Sequence, residues 1–234
     1  MTKMNQIKVI AFDADDTLWV CEPIFRTMEA KVCELLSEYM DKEQLLKEIL
    51  KNHIANLPLY GYGIKGYILS LTETALKISA GQVPQEVIDR IIAYGKEMLQ
   101  EPVVLLQDVS EVLPRLKEHF RLMVITKGDL LDQQRKLEAS GLLPYFNDIE
   151  IVSDKKTADY EKLFERHGID PKEFMMVGNS LKSDILPVIE LGAAGVHIPY
   201  EITWEHEKVE DLDHSNPLLH EISHLEEIYP IVGL

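Results

Sequence analysis

The stretch Val9-Ile10-Ala11-Phe12-Asp13-Ala14-Asp15-Asp16-Thr17-Leu18 runs from an apolar segment straight into three carboxylates and a hydroxyl. A strand buried on both faces of a parallel sheet reads as a continuous apolar run, and in open α/β sheets ligands collect beyond the carboxyl ends of the strands. Asp13 and Asp15 stand two residues apart, so an extended backbone carried past Phe12 turns both carboxylates to one side. Two anions so close repel unless a cation or a shared proton lies between them. A hard divalent ion with oxygen ligands, Mg²⁺ first, resolves the conflict. The same residues also fit an Asp/Thr helix cap behind a core strand, with its acids solvated. The rest of the chain has to decide.

Four further apolar runs follow in the second half: Leu122 to Ile125, Ile149 to Val152, Phe174 to Val177 and Gly195 to Ile198. Helical patterns lie between them, Asp129 to Ala139 before Gly141, Ala158 to His167 before Gly168 and Ser183 to Leu191 before Gly192. Strands alternating with helices predict βαβ units and a parallel sheet. Leu218 to Ile228 fits a last strand or a helix equally. Between the first strand and Val103 the texture changes. Pro23 to Met40, Lys42 to His53, Gly66 to Ser79 and Pro84 to Gln100 all carry apolar residues at helical spacing. The expectation is an α/β fold whose parallel-sheet core, 1–20 plus 104–234, is interrupted by a helical bundle over 21–103. A helix starting at Asp108 or Ser110 returns the chain to the core, and Trp19 to Glu22 and Pro102 to Leu106 are the expected hinges.

Polar residues recur at the ends of these strands. Thr126 closes the second, and Lys127-Gly128 follows; a hydroxyl, a tight turn and exposed N–H groups there make an oxyanion nest or simply a strand-to-helix turn. Asp154-Lys155-Lys156 follows the third, where an ammonium can hold a phosphoryl oxygen or stay in solvent. The fourth runs into Gly178-Asn179-Ser180-Leu181-Lys182-Ser183-Asp184, whose glycine permits close backbone approach while Asp184 reaches back as a metal ligand or sits in the first turn of a helix.

Composition narrows the partners. The chain has 234 residues, 46% hydrophobic and 27% charged, which suits a folded globular protein. A net charge of −16 argues against broad contact with nucleic acid or an anionic membrane, so any phosphate site must be assembled locally. Two cysteines, Cys21 and Cys33, are too few for a disulfide framework. No apolar stretch approaches membrane-spanning length and the first strand begins almost at the N-terminus, so the expected setting is the cytoplasm.

Taken together, Asp13-Ala14-Asp15-Asp16-Thr17, Thr126, Lys155 and Gly178-Asn179 to Asp184 resemble the motif series of the haloacid dehalogenase-like (HAD) hydrolase superfamily, and the helical insertion is similar to that family's helical cap. The resemblance implies a Rossmann-like core with the first strand central and a mobile cap. It implies Asp13 as nucleophile and Asp15 as general acid/base, with Thr17 supporting Asp15. Thr126, with neighbouring Lys127, and Lys155 would bind the phosphoryl group; Lys156 is the alternative to Lys155. Mg²⁺ would be held by Asp13, the backbone carbonyl of Asp15, Asp184 and Asn179. Two positions depart from the family pattern: Asp16 stands where glycine is common, and Asn179 where an acid is usual.

The implied reaction is Mg²⁺-dependent hydrolysis of a small phosphorylated metabolite through an aspartyl-phosphate. The dehalogenase subgroup lacks the second Asp, so Asp15 favours phosphoryl chemistry. A phosphosugar mutase of the same superfamily, or a catalytically idle phospho-ligand binding module, are the alternatives. Leu57 to Tyr67, with three glycines, three tyrosines and a lysine, is expected to be a flexible connection between cap helices. From it Tyr60, Tyr62 and Lys65 would touch the leaving group, unless the tyrosines pack between the helices. The sequence carries no signature of oligomeric state.

Overall fold

The opening apolar run forms β1, Val9–Phe12, every residue of it buried, in the computed structural model, which describes residues 6–209 and 211–234. The later runs form β2 (Arg121–Lys127), β3 (Asp148–Val152), β4 (Phe174–Gly178) and β5 (Ala194–His197). A short β6 (Leu219–Glu221) completes the sheet. Their order is β3-β2-β1-β4-β5-β6 and every pairing is parallel. Phe12 stands level with Val124 on one side and Val177 on the other, so β1 is central and the carboxyl ends of β1, β2 and β4 open on the same edge.

Alternation along β1 explains its lack of polar residues. Ile10 and Phe12 enter one apolar cluster with Leu113, Leu116, Leu137 and Ile228, while Val9 and Ala11 enter another with Tyr160, Leu163 and Phe164. Both faces are covered, so both sets of side chains must be apolar.

The helices, in chain order, are α1 (Glu22–Leu35), α2 (Lys42–Tyr60), α3 (Ile64–Ile78), α4 (Gln85–Met98), α5 (Val109–Lys117), α6 (Leu130–Ser140), α7 (Thr157–His167), α8 (Leu186–Glu190) and α9 (Ile228–Val232). The chain divides into two compact units. One is Met1–Glu22, Val103–Lys127 and Gln134–Leu234; the other is Pro23–Pro102 and Gly128–Gln133. The second unit has its own core, with Met28, Val32, Leu36, Leu45, Ile49, Tyr67, Leu71 and Ile91 all buried. Among the described residues, no helix is long and apolar enough to cross a membrane.

Three local expectations are corrected. First, α2 does not stop near His53 but runs through Pro58 to Tyr60, leaving only Gly61 to Gly63 between helices. An interior proline forgoes one backbone bond, and bonds to α3 offset the loss: Asn56 donates to Glu73 (2.7 Å) and Ser70 (3.1 Å), and Tyr60 donates to Glu73 (2.5 Å). Second, the segment entering α8 begins as one wide turn of π type, Leu181–Ile185, rather than as a plain helix from Ser183. Third, the ambiguous final segment is strand and helix in succession, β6 and then a 3₁₀ turn leading into α9. The two connections expected as hinges pair with each other: Val20 N–H donates to the Val104 carbonyl (2.9 Å) and Leu106 N–H to that of Leu18 (3.0 Å).

Candidate active site

β1 ends at Phe12, but Asp13 still bonds to the sheet, its N–H donating to the Val177 carbonyl at 2.9 Å. That bond fixes the backbone from which the carboxylate projects. Lys155, from the loop after β3, reaches in and donates from Nζ to Asp13 Oδ1 and, at 2.7 Å, to Asp184 Oδ1. Lys155 is 2% exposed, Asp13 7% and Asp184 1%, so three charged groups are buried together. Such burial is tolerable only where the charges pair. Lys156 turns outward to Asp154, so of the two adjacent lysines it is Lys155 that enters the cluster.

Two carboxylates against one ammonium leave the trio one positive charge short. Burial pushes the Asp13 carboxyl up to about 7, with Asp184 and Asp15 adding to the rise against the pull of Lys155. The Lys155 ammonium is also raised, for a different reason: burial opposes its charge, and the two carboxylates overcome that.

Thr17 lies four residues beyond Asp13, on the turn that follows β1. Its hydroxyl lies 3.2 Å from Asp13 Oδ2 and 3.4 Å from Asn179 Oδ1, and accepts from the Asn179 N–H at 3.0 Å. The resemblance had Thr17 supporting Asp15; the structure instead has it tie Asp13 to the loop after β4. In that loop Asp184 Oδ2 accepts from the Ser180 N–H at 3.0 Å. Gly178 is required beneath it, since a Cβ there would lie 2.3 Å from Asp184 Oδ2.

Asp15 is held by a different set of donors. The extended conformation ends at Phe12 and a tight turn begins at Ala14, so the expected shared side with Asp13 is not reached by simple alternation. Its Oδ1 accepts from Trp19 Nε1 at 2.7 Å and from Lys136 Nζ at 2.6 Å. Asp16 takes a left-handed backbone, φ 61°, which explains a preference for glycine at such a position. Here the carboxylate accepts from the N–H groups of Cys21 (2.8 Å) and Glu22 (3.0 Å), at the start of α1.

Thr126 is buried near the end of β2, two residues beyond the position level with Phe12. Lys127, expected with it as a phosphoryl ligand, is committed to an ion pair: its Nζ donates to Glu207 Oε1 (2.7 Å) and to Ser183 Oγ (2.8 Å). Glu207 Oε2 accepts from Ser180 and Ser183 hydroxyls, both at 2.5 Å. Burial pushes Glu207 up, but the charge of Lys127 and these three donors outweigh it and hold the carboxyl at about 2. Glu207 was not singled out in the sequence, nor were Lys136 and His197, whose Nε2 donates to the Asn179 carbonyl at 3.1 Å, and Trp19 was named only as the start of a hinge.

In the helical unit, Tyr60 ends α2, Tyr62 lies in the Gly61 to Gly63 turn and Lys65 opens α3, with its Nζ 2.8 Å from Asp129. Tyr67 is buried in the helical core and donates to Glu29 (3.2 Å), so one tyrosine of the stretch does pack between helices.

A six-stranded parallel sheet with acids and a lysine at its carboxyl edge defines a Rossmann-like α/β core. A family model described as haloacid dehalogenase-like hydrolase matches residues 7–192, and the chain belongs to that family. A solved haloacid dehalogenase-like hydrolase from Xanthomonas campestris superposes with a TM-score of 0.84 at 35% identity, covering 96% of this chain and 89% of that one. N-acylneuraminate-9-phosphatase of Mus musculus is 23% identical over 78% of each chain. Glyceraldehyde 3-phosphate phosphatase of Methanocaldococcus jannaschii is 26% identical over 97% of each.

Proposed function

We propose that this chain is a Mg²⁺-dependent phosphatase that hydrolyses a small phosphorylated metabolite through an aspartyl-phosphate on Asp13. The buried cluster of Asp13, Lys155 and Asp184 carries the reading. Phosphatase relatives along most of the chain support it. The helical unit is read as the cap, contributing Tyr60, Tyr62 and Lys65 toward the leaving group. The cytoplasm, where Cys21 and Cys33 stay reduced, is the proposed setting.

The donor set fits magnesium. Among the described residues no three His, Cys, Asp or Glu side chains gather into a metal-binding group. Mg²⁺ needs none, since it takes one or two carboxylates and completes its shell with carbonyl oxygens and water. Asp13 and Asp184 supply hard oxygens in a cluster short of positive charge. The Asp15 carbonyl and the Asn179 amide oxygen complete the protein's share. When bound, the ion neutralises phosphoryl charge.

The chain's own groups then divide the work. A carboxylate oxygen of Asp13 attacks phosphorus, the ester P–O bond breaks toward the leaving oxygen, and Asp15 gives that oxygen its proton. Lys155 and the Thr126 hydroxyl hold the equatorial oxygens, whose charge is the main burden of phosphoryl transfer. Water next gives a proton to Asp15 and attacks phosphorus. The bond to Asp13 breaks, releasing phosphate and leaving Asp15 protonated for another cycle.

Phosphate release from 4-nitrophenyl phosphate with and without Mg²⁺ tests the reading. D13N is expected to lose about 1,000-fold or more in kcat. A D13N protein that keeps most of its turnover removes Asp13 as nucleophile. Stoichiometric free phosphate separates a hydrolase from a mutase.

A further inference from the structure

Lys136 lies on α6, 121 residues from Asp15 in sequence, yet its Nζ donates to Asp15 Oδ1 at 2.6 Å. The pair is largely enclosed, with 17% of the Lys136 side chain and 29% of the Asp15 side chain exposed. The same carboxylate oxygen accepts from Trp19 Nε1 at 2.7 Å, and Lys136 Nζ stands 5.9 Å from the Trp19 ring centroid. Trp19 is 1% exposed, and its carbonyl accepts from the Asp16 N–H at 2.7 Å, so the turn that carries Asp15 also carries the indole that holds it. Asp15 thus holds Trp19 and Lys136 together, with the ammonium at the outer edge of cation–π range from the indole.

We infer that Lys136 is a positioning residue for the phosphatase reaction, fixing the rotamer of Asp15 so that its proton is delivered to the leaving oxygen from a set direction. The inference rests on the phosphatase reading given above. An exposed Lys–Asp pair is worth little. This one is enclosed, has a planar N–H donor on the same oxygen and a ring beside the ammonium, and so restricts the carboxylate to one orientation. A carboxyl free to turn would offer that proton over many orientations, and a positioned general acid contributes on the order of 100-fold or more.

Leaving-group dependence distinguishes positioning from mere structural support. An ester with a poor leaving group, phenyl phosphate, needs the proton from Asp15; 2,4-dinitrophenyl phosphate, whose phenoxide leaves unaided, does not. The K136M protein is expected to lose about 30-fold or more in kcat/KM on phenyl phosphate and no more than about threefold in kcat/KM on the dinitrophenyl ester, because kcat/KM covers only the steps up to departure of the leaving oxygen and not the later hydrolysis in which Asp15 acts as base. K136R, which keeps a cation in reach, is expected to recover most of the phenyl phosphate turnover. If K136M does not fold, K136Q takes its place with the same expected split. Equal losses in kcat/KM on the two esters, or no loss on either, overturn the inference while wild-type turnover leaves the phosphatase reading intact. Wild-type protein that hydrolyses neither ester with Mg²⁺ present fails the phosphatase reading itself.

Discussion

Asp16 shows how one residue reconciles a backbone demand with a charge. Its φ of 61° costs an ordinary L-residue roughly 1–2 kcal/mol, a strain that Asp and Asn tolerate better than most because of local side-chain bonds. Its carboxylate answers two backbone donors, those of Cys21 and Glu22, that would otherwise face the first turn of α1 unmet. Against this, burial pushes the carboxyl up to about 7 despite those two donors. Removing the acceptor and keeping the strain is therefore the worst substitution. D16A is expected to lower unfolding free energy by about 2–3 kcal/mol, from the strain plus two hydrogen bonds. D16N, which keeps an acceptor oxygen and tolerates the left-handed region, is expected to stay within about 1 kcal/mol of wild type. Urea denaturation of the two variants at pH 7 measures the difference, and D16A no less stable than D16N would remove the capping role.

The elements differ in how openly the sequence announces them. β1, β2 and β4 were legible because both faces of the sheet are covered, which forces the unbroken apolar runs that mark them. The helices ending at Gly141 and Gly168 were legible because those glycines take positive φ, 71° and 62°. The extent of α2 was not: Pro58 argues locally for a break, and the side chains that offset it come from α3, 13 to 17 residues from the α2 residues that they bond. The partners of Asp15 and of Lys127 were hidden for the same reason. Lys136 and Glu207 reach them across 121 and 80 residues, and no local spacing encodes such a meeting. The strand-tip motifs, by contrast, each sit within a few residues of the strand that positions them. The α2 argument has a consequence for stability. P58A restores a helical N–H, and with the α3 contacts unchanged it is expected to raise stability by about 1 kcal/mol, the gain in the last turn being smaller than the roughly 3 kcal/mol of a helix interior. A rise in Tm checks this; a fall would mean that the proline's limit on the unfolded chain outweighs the missing bond.

At the scale of the molecule, a net charge of −16 sets the response to acid. Protonating exposed carboxylates relieves self-repulsion and favours the compact state. Glu207 acts in the opposite direction. It joins the residues after β5 to the end of β2 through Lys127 and to the loop after β4 through Ser180 and Ser183. Its carboxyl falls from 4.5 to about 2 on folding. A depressed folded-state pKa contributes stability that is complete above about 4.5 and disappears as pH falls toward 2. The contribution is about 3 kcal/mol at most, by the conversion of 1.36 kcal/mol per pKa unit. The wild-type protein should therefore lose stability between pH 5 and 2, a loss that the E207Q protein largely lacks because it has no proton to take up there. E207Q should also be less stable than wild type at pH 7, since Lys127 loses its buried counter-ion. Urea midpoints for both proteins across pH 2 to 7 decide the matter. Curves that run parallel over the whole range would show that the Lys127–Glu207 tie does not govern the acid response, whereas curves that converge toward pH 2 are the expected signature of a single buried carboxylate titrating.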